Sequence, residues 1–279
     1  MKKLFGVIGD PISHSMSPVM HNDLFMVYGI DAHYHPFHVK RGDLGAAVQG
    51  LKAINCSGFN VTVPHKTEIM TFLDEIDPLA EAIGAVNTVV HEEGKLIGYN
   101  TDGHGFLEGL KRKFTVSDST KVLIIGAGGA AKAIFYSMAH AGVKHIDFCN
   151  RTAEKAAQLI ESCPFTVQSN IYTREEAEKR LSSYNLIIQT TSVGMSPNID
   201  DSPLSLENLG TGAFVSDIIY NPLETAILRD AKRRGAGTQN GLDMFVFQGA
   251  LAFEKWTGIF PDTVRMKQNV LKHLGGKKC

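Results

Sequence analysis

Few features of this 279-residue sequence are extreme, and its absences narrow the role first. Neither charge sign is in excess: 28 Lys and Arg stand against 29 Asp and Glu. A net charge of −1 gives no bulk field to hold a polyanion or an anionic bilayer, so no nucleic acid and no membrane surface is expected as a partner. Cysteine is scarce: Cys56, Cys149, Cys163 and Cys279, with no C-x-x-C and no histidine at zinc spacing. Cys149 lies in an apolar run and reads as a small buried hydrophobe. Unpaired thiols point to a reducing compartment, and the expected location is cytoplasmic. No run approaches a membrane span. Residues Met1–Asp10 begin like a signal peptide, but the apolar part is too short and Asp10-Pro11 ends it. No low-complexity segment or internal repeat stands out. The closing Gly-Gly-Lys-Lys-Cys reads as a frayed tail.

What remains is ordinary globular material, 43% hydrophobic and 20% charged, long enough for two domains. Short apolar runs alternate with helical patterns, the signature of βαβ units and a mostly parallel sheet. In the first hundred residues, strands are expected at Leu4–Ile8, Ala32–Val39 and Gly58–Val63. A hairpin should pair Ala85–Val90 with Leu96–Tyr99 around Glu93-Gly94. One helix should begin at Ser17-Pro18, with Ser17 as N-cap and an apolar face of Met20, Leu24, Val27 and Tyr28. A second runs from Asp43, with Leu44, Ala47, Val48, Leu51 and Ile54 on one face, and a helical piece covers Leu79–Ile83. Asn100–Phe114 is expected to be the first crossing helix. Strands then follow at Val122–Ile125, Ile146–Cys149, near Thr166, at Leu186–Gln189 and at Ala213–Ile218, with helices from Ala153, near Glu175–Leu181 and over Leu223–Arg234. Met195–Leu209 is a loop. Helices at Gly241–Trp256 and Thr263–Leu274 are expected to return to the first domain. Residues 1–101 and 240–279 would then form one domain and 102–239 the other, with a hinged cleft between them.

The stretch Lys121–Ala133 organises the second domain. A buried-type strand runs into Gly126-Ala127-Gly128-Gly129-Ala130-Ala131, a G-x-G-x-x-A turn that opens a helix. Glycine at 126 and 128 lets the backbone approach a pyrophosphate, whose charge sits at the helix N-terminus. About 20 residues on, NAD enzymes place an acidic side chain for the ribose 2′-hydroxyl. Here that place reads Cys149-Asn150-Arg151-Thr152, with Lys155 one turn later and no carboxylate. Arg151 offers a planar fork for a phosphate, which favours NADP.

Three other stretches are polar in ways that packing does not require: Ser13–Pro18, Asn60–Lys66, and Ala85–Thr88 with Asn100–Gly103. Asn60 and Thr62 fall on one side of a strand's C-terminal end, where open α/β sheets bind ligands. Lys66 follows directly. A lysine near an aspartate can form an acid–base pair, but 35 residues lie between Lys66 and Asp102, and spacing alone does not bring them together. His33 and His35 share a strand face without a third ligand nearby, so no metal site is expected.

In order from Gly6 to Ala250, these motifs resemble the shikimate dehydrogenase family. They are Gly-Asp-Pro-Ile-Ser-His-Ser-Met-Ser-Pro, Asn-Val-Thr-Val-Pro-His-Lys, Ala-Val-Asn-Thr, Gly-Tyr-Asn-Thr-Asp-Gly and Gly-Ala-Gly-Gly-Ala. Asn-Arg-Thr, Thr-Ser-Val-Gly-Met, Asp-Ile-Ile-Tyr-Asn-Pro and Gly-Leu-Asp-Met-Phe-Val-Phe-Gln-Gly-Ala complete the set. The resemblance implies an α/β protein with an N-terminal substrate domain and a Rossmann-type NADP domain. It implies reversible NADP-dependent reduction of 3-dehydroshikimate to shikimate, in aromatic amino-acid biosynthesis by way of chorismate. By the same resemblance Ser15 and Ser17 bind the substrate carboxylate. Asn60, Thr62, Asn87 and Gln248 hold hydroxyls or orient the ring, and Tyr220 lies near. Lys66 and Asp102 are the catalytic pair. Gly126, Ala127, Gly128, Gly129 and Ala130 hold the pyrophosphate. Asn150, Arg151, Thr152 and Lys155 take the 2′-phosphate, and Thr191, Met195, Ile218, Gly241 and Met244 line the nicotinamide side. Gln189 departs from the family, which often has Asn or a small residue there. The chain is expected to act as a monomer or homodimer. A quinate/shikimate enzyme of looser choice and a nucleotide-sensing regulator without turnover are the rival readings.

Overall fold

The computed structural model describes residues 2–275. Residues 276–279, the expected tail with Cys279, lie outside them. The chain divides into two compact units, Met1–Thr101 with Val246–Cys279, and Asp102–Phe245.

The first unit is built on a six-stranded mixed sheet in the order β2-β1-β3-β5-β6-β4. Strands β1 (Lys3–Gly9), β2 (Ala32–His38) and β3 (Gly58–Val61) are mutually parallel. The expected hairpin, β5 (Thr88–Glu92) and β6 (Lys95–Tyr99), pairs antiparallel to β3, and the two-residue β4 (Glu75–Ile76) closes the far edge. Helices α1 (Ser17–Val27) and α2 (Leu44–Ala53) make the two crossovers. On one face Ile8, Leu44, Val48, Leu51, Phe59 and Val61 form an aliphatic core. On the other, Phe5, Phe25, Tyr34, Phe253 and Trp256 meet ring to ring. Each such side chain contributes roughly 2–3 kcal/mol by leaving water. Helix α3 (Pro78–Ile83) is capped by the Asp77 carboxylate, which accepts from Leu79 N at 3.1 Å.

Two expectations for α1 change. Ser17 is the first helical residue rather than the N-cap, which is Met16. The buried face is Met20, His21, Leu24 and Phe25, while Val27 is exposed, because α1 lays its aromatic side on β2 and α10 (Thr263–Gly275). Likewise Ile54, beyond the end of α2, stays exposed.

The second unit carries a wholly parallel six-stranded sheet, β12-β11-β10-β7-β8-β9. Its central strands β7 (Lys121–Ile125), β10 (Leu186–Gln189) and β11 (Phe214–Asp217) are buried on both faces, and β8 (His145–Cys149) is buried on one and half-buried on the other. Continuous apolar runs such as Val122–Ile125 are the sequence mark of that position. Helices α4 (Asp102–Lys111) and α5 (Gly129–His140) pack closely at Gly103, where a Cβ would stand 2.2 Å from the main-chain Ala133 O. Helices α6 (Ala153–Glu161), α7 (Arg174–Arg180) and α8 (Ala226–Arg233) complete the layers. The strand expected near Thr166 is instead β9 (Ile171–Tyr172), and a short β12 (Gly237–Gln239) forms the other edge. Leu223 precedes α8 and is exposed, so the helix face there is Ile227, Leu228 and Ala231. Helix α9 (Gly241–Thr257) is continuous; its first turn belongs to the second unit and the rest to the first. Among the described residues no helix is long and apolar enough to cross a membrane.

Candidate active site

In the first unit the polar stretches converge at the C-terminal end of β3. Asn60 is buried, and its Nδ2 donates to Asn87 O and Thr88 Oγ1, both at 3.1 Å. Asn87 in turn accepts at Oδ1 from Thr101 N at 2.8 Å and donates from Nδ2 to Thr101 Oγ1 at 3.0 Å. Lys66 O accepts from Val86 N at 2.7 Å, so the turn that carries Lys66 is tied to the residue before Asn87. Asn100 Nδ2 donates to Ala85 O at 2.9 Å, closing the same strip. Asp102 comes one peptide bond after Thr101, as the first residue of α4.

The Thr62–Lys66 turn is fixed by main chain and by one histidine. Thr62 N donates to Ile8 O at 3.0 Å and His65 N to Thr62 O at 2.9 Å. His65 is fully buried, and its Nε2 lies 2.6 Å from Val39 O, the geometry of a ring N–H donating to that carbonyl. His65 is thus an anchor for the turn before Lys66. At the other polar stretch, Ser17 N donates to Ser15 Oγ at 3.3 Å, and Ser17 is buried. A cavity of about 410 Å³ opens beside Ser15, lined also by His14, Val19 and Lys272. Gln248 sits half-buried on α9.

In the second unit the candidate residues follow the C-terminal ends of β7, β8, β10 and β11, and β7 and β10 flank the point where strand order reverses. That crevice is where open parallel sheets take ligands. Gly126 has φ of +107°, and a Cβ there would meet Thr190 Oγ1 at 2.7 Å. Only glycine fits both the conformation and the packing. Gly128 and Gly129 differ: a Cβ on either would meet nothing within 4 Å. The space before the N-terminus of α5 is left open by the chain itself, and a diphosphate fits it. After β8, Asn150 Nδ2 donates to Thr152 O at 2.7 Å and shapes the turn that presents the exposed Arg151. Thr152 is the N-cap of α6 without a side-chain capping bond, and Lys155 is exposed one turn on. No carboxylate stands in this turn, so the residues present suit a phosphorylated ribose.

Two buried polar residues hold the remaining loops. Gln189 Oε1 accepts from Thr191 N at 3.0 Å, while its Nε2 donates to Val193 O at 3.0 Å. The residue that departs from the family pattern thus braces the loop of Thr191 and Met195. Asp217 accepts from Ile219 N at 2.9 Å and from Thr225 Oγ1 at 2.6 Å, bracing the loop of Ile218 and Tyr220. Burial pushes its carboxyl up to about 6, against the pull of the Thr225 and Ile219 hydrogen bonds. Tyr220 stacks on Phe245 with centroids 5.2 Å apart, and burial raises its phenol. Gly241 opens α9 so close to Ile218 that a Cβ would lie 1.8 Å from Ile218 O, and half-buried Met244 follows on the same turn. Sequence reasoning missed Asp217 and Thr101. The signal for Asp217 was present: an acidic residue ending a buried apolar strand needs donors. Among the described residues no group of His, Cys, Asp and Glu stands ready for a metal ion.

A doubly wound parallel sheet with an open glycine turn at its reversal point, joined to a mixed α/β unit lined with amides and hydroxyls, defines a two-domain dinucleotide-dependent oxidoreductase. Comparison with known proteins narrows the class. The model of the shikimate dehydrogenase substrate binding domain matches residues 7–89, that of shikimate / quinate 5-dehydrogenase matches 108–201, and that of the shikimate 5'-dehydrogenase C-terminal domain matches 241–271. A shikimate dehydrogenase (NADP(+)) of Bacillus thuringiensis subsp. konkukian is 58% identical, over 99% of this chain and 100% of its own. The crystal structure of a Listeria monocytogenes shikimate 5-dehydrogenase, complexed with shikimate and NAD, superposes with a TM-score of 0.92 at 38% identity, covering 96% of each chain. That of the Thermus thermophilus enzyme, with NADP(H) and shikimate, gives 0.87 at 34% identity over 97% of this chain and 99% of its own. The chain belongs to the shikimate dehydrogenase family, as the order of its motifs implied.

Proposed function

We infer that this protein is an NADP-dependent shikimate dehydrogenase, interconverting 3-dehydroshikimate and shikimate on the way to chorismate and the aromatic amino acids. The observation that carries the reading is the pairing, in one chain, of the amide-and-hydroxyl strip around Asn60, Asn87 and Thr101 with the open turn at Gly128 and Gly129. Residues 1–101 and 240–279 carry most of the substrate contacts and 102–239 most of the cofactor contacts. NADP, when bound, supplies or accepts the hydride equivalent. Gly126 to Ala130 hold its diphosphate, Asn150, Arg151, Thr152 and Lys155 its 2′-phosphate, and Thr191, Met195, Ile218, Gly241 and Met244 its nicotinamide side.

The rest of the chemistry belongs to side chains of the first unit and to Asp102 and Tyr220. A ketone oxygen that gains an electron pair must be stabilised and protonated. Lys66 Nζ does both, as an ammonium that gives its proton to the new hydroxyl; in the reverse direction neutral Lys66 takes it back. Asp102 holds Lys66 and a ring hydroxyl in position. Ser15 and Ser17 take the carboxylate, a neutral hydroxyl site that suits a group not altered in the reaction. Thr62, Asn87, Gln248 and Tyr220 orient the ring. The enzyme works in the cytoplasm, as a monomer or homodimer.

The test mixes the protein with shikimate or quinate and NADP or NAD, and follows the absorbance of reduced nicotinamide. Turnover is expected to be fastest with shikimate and NADP. Faster turnover of quinate would move the assignment to a quinate enzyme, and no turnover in any combination would make the protein a nucleotide-binding regulator.

A further inference from the structure

Tyr34 is one of the largest fully buried side chains in the molecule, and three neighbours on α1 fix it. It lies on β2, the edge strand of the first sheet, where its outward main chain has no strand to pair with. Asn22 supplies the missing partner: Asn22 Nδ2 donates to Tyr34 O and Tyr34 N donates to Asn22 Oδ1, both at 2.9 Å. The His21 ring stacks on the phenol, centroids 4.6 Å apart and planes 22° apart. Neither ring nitrogen of His21 has a hydrogen-bond partner, and burial pushes the imidazole down to about 3, so His21 acts here as a flat, neutral packing surface. The third neighbour is Ser17, buried at the start of α1 beside the phenol.

A core position of this kind calls for phenylalanine unless the hydroxyl has a purpose, because a buried hydroxyl without a partner is costly. Here Tyr34 Oη donates to Asn60 Oδ1 at 2.7 Å. Asn60 spends both amide hydrogens on Asn87 O and Thr88 Oγ1. Its amide therefore has a donor on one side and two acceptors on the other, so a flip would set its oxygen against the Asn87 carbonyl. The hydroxyl of Tyr34 thus holds a residue read above as a substrate contact, Asn60, which lies 26 positions away in sequence.

We propose that Tyr34 is a positioning residue of the substrate site, whose hydroxyl locks the Asn60 amide. The proposal rests on the shikimate reading. Tyr34→Phe keeps the ring, the stack and the Asn22 clamp and removes the hydroxyl alone. The KM for shikimate should rise about tenfold, the size of one lost hydrogen bond, with kcat within about threefold of wild type. The KM for NADP should hold, and the melting temperature should fall by only a few degrees, the cost of one buried hydrogen bond. In an Asn60→Ala background the same change should add nothing to KM, because the group it acts through is gone.

An unchanged shikimate KM would overturn the proposal. So would a variant in which kcat and both KM values fall or rise together with the melting temperature, a chain that does not fold, or additive effects in the double variant. Wild type run in the same assay separates the two levels: if it does not turn over shikimate with NADP the functional reading itself fails, whereas normal wild-type turnover with an unaltered variant removes Tyr34 alone.

Discussion

The two sheets have equal strand numbers and use them differently. In the second unit the strands are parallel and largely apolar, and the candidate ligand-binding groups lie at or beyond their C-terminal ends: the turn at Gly126, the loop after Gln189, the loop after Asp217. The ligand face there is main chain and loop, braced by single buried side chains. In the first unit polar groups enter the sheet itself, and Asn60, Asn87, Thr88 and Thr101 bond to one another across β3 and β5. The antiparallel hairpin makes this possible, since it sets Asn60 directly opposite Thr88. A diphosphate is common to many ligands and main-chain N–H groups suffice for it. A ring with several hydroxyls needs side chains of fixed orientation, and those need a lattice.

Three experiments would break or sharpen this contrast. The largest effect is expected in the first unit. Lys66→Ala should lower kcat about 10³-fold while leaving both KM values within a few-fold, the pattern of a lost proton donor. A near-normal kcat would take the chemistry away from Lys66. Next, Arg151→Ala in the second unit should raise the KM for NADP about 10–100-fold, as loss of charge-assisted hydrogen bonds to a phosphate does, and leave the KM for NAD almost unchanged. An equal rise for both would mean that Arg151 serves the adenosine and not its phosphate.

The smallest effects are on stability, and their signs should be opposite in the two units. His21 in the first unit has a folded pKa of about 3, below its usual 6.5. Its contribution is present above pH 6.5 and is lost as pH falls, by about 2 kcal/mol at pH 5. Asp217 in the second unit has a folded value of about 6, above its usual 3.8. Its contribution is present below pH 3.8 and is lost as pH rises through about 6. Denaturant unfolding across pH 4–8 should therefore show a shallower acid loss in His21→Phe, and in Asp217→Asn removal of a decline between pH 4 and 6. Unchanged pH profiles in either variant would show that the buried group does not titrate as its surroundings dictate.

Much of this was legible in the residues. The Gly126–Ala130 turn could be read because its neighbours supplied a strand before it and a helix after, and because glycine's lack of a Cβ has few uses. The family could be read from the order of motifs, which no single motif provides. Ser17 was misplaced by one position, since a serine before proline satisfies the rule for a cap equally well at the first helical turn. The short edges β4 and β12 were invisible because two or three residues carry no period. Tyr34 was hidden for a different reason. Its sequence neighbours, Ala-His-Tyr-His-Pro, suggest only a strand, and its meaning comes from Asn60, which no local pattern connects to it.

The clamp on Tyr34 also bears on how this protein keeps to itself. An edge strand exposes hydrogen-bonding groups that any other extended chain can join, which is how sheets aggregate. Outward groups on β2 alternate, so positions 32, 34 and 36 face the open side together. Ala32 N is taken by Ile30 O at 2.8 Å, Tyr34 is sealed in both directions by Asn22, and Pro36 has no N–H to offer. At three successive rungs the main-chain donor is thus already taken or absent. The side chain that steadies Tyr34 therefore also shields this edge of the folded sheet from another strand.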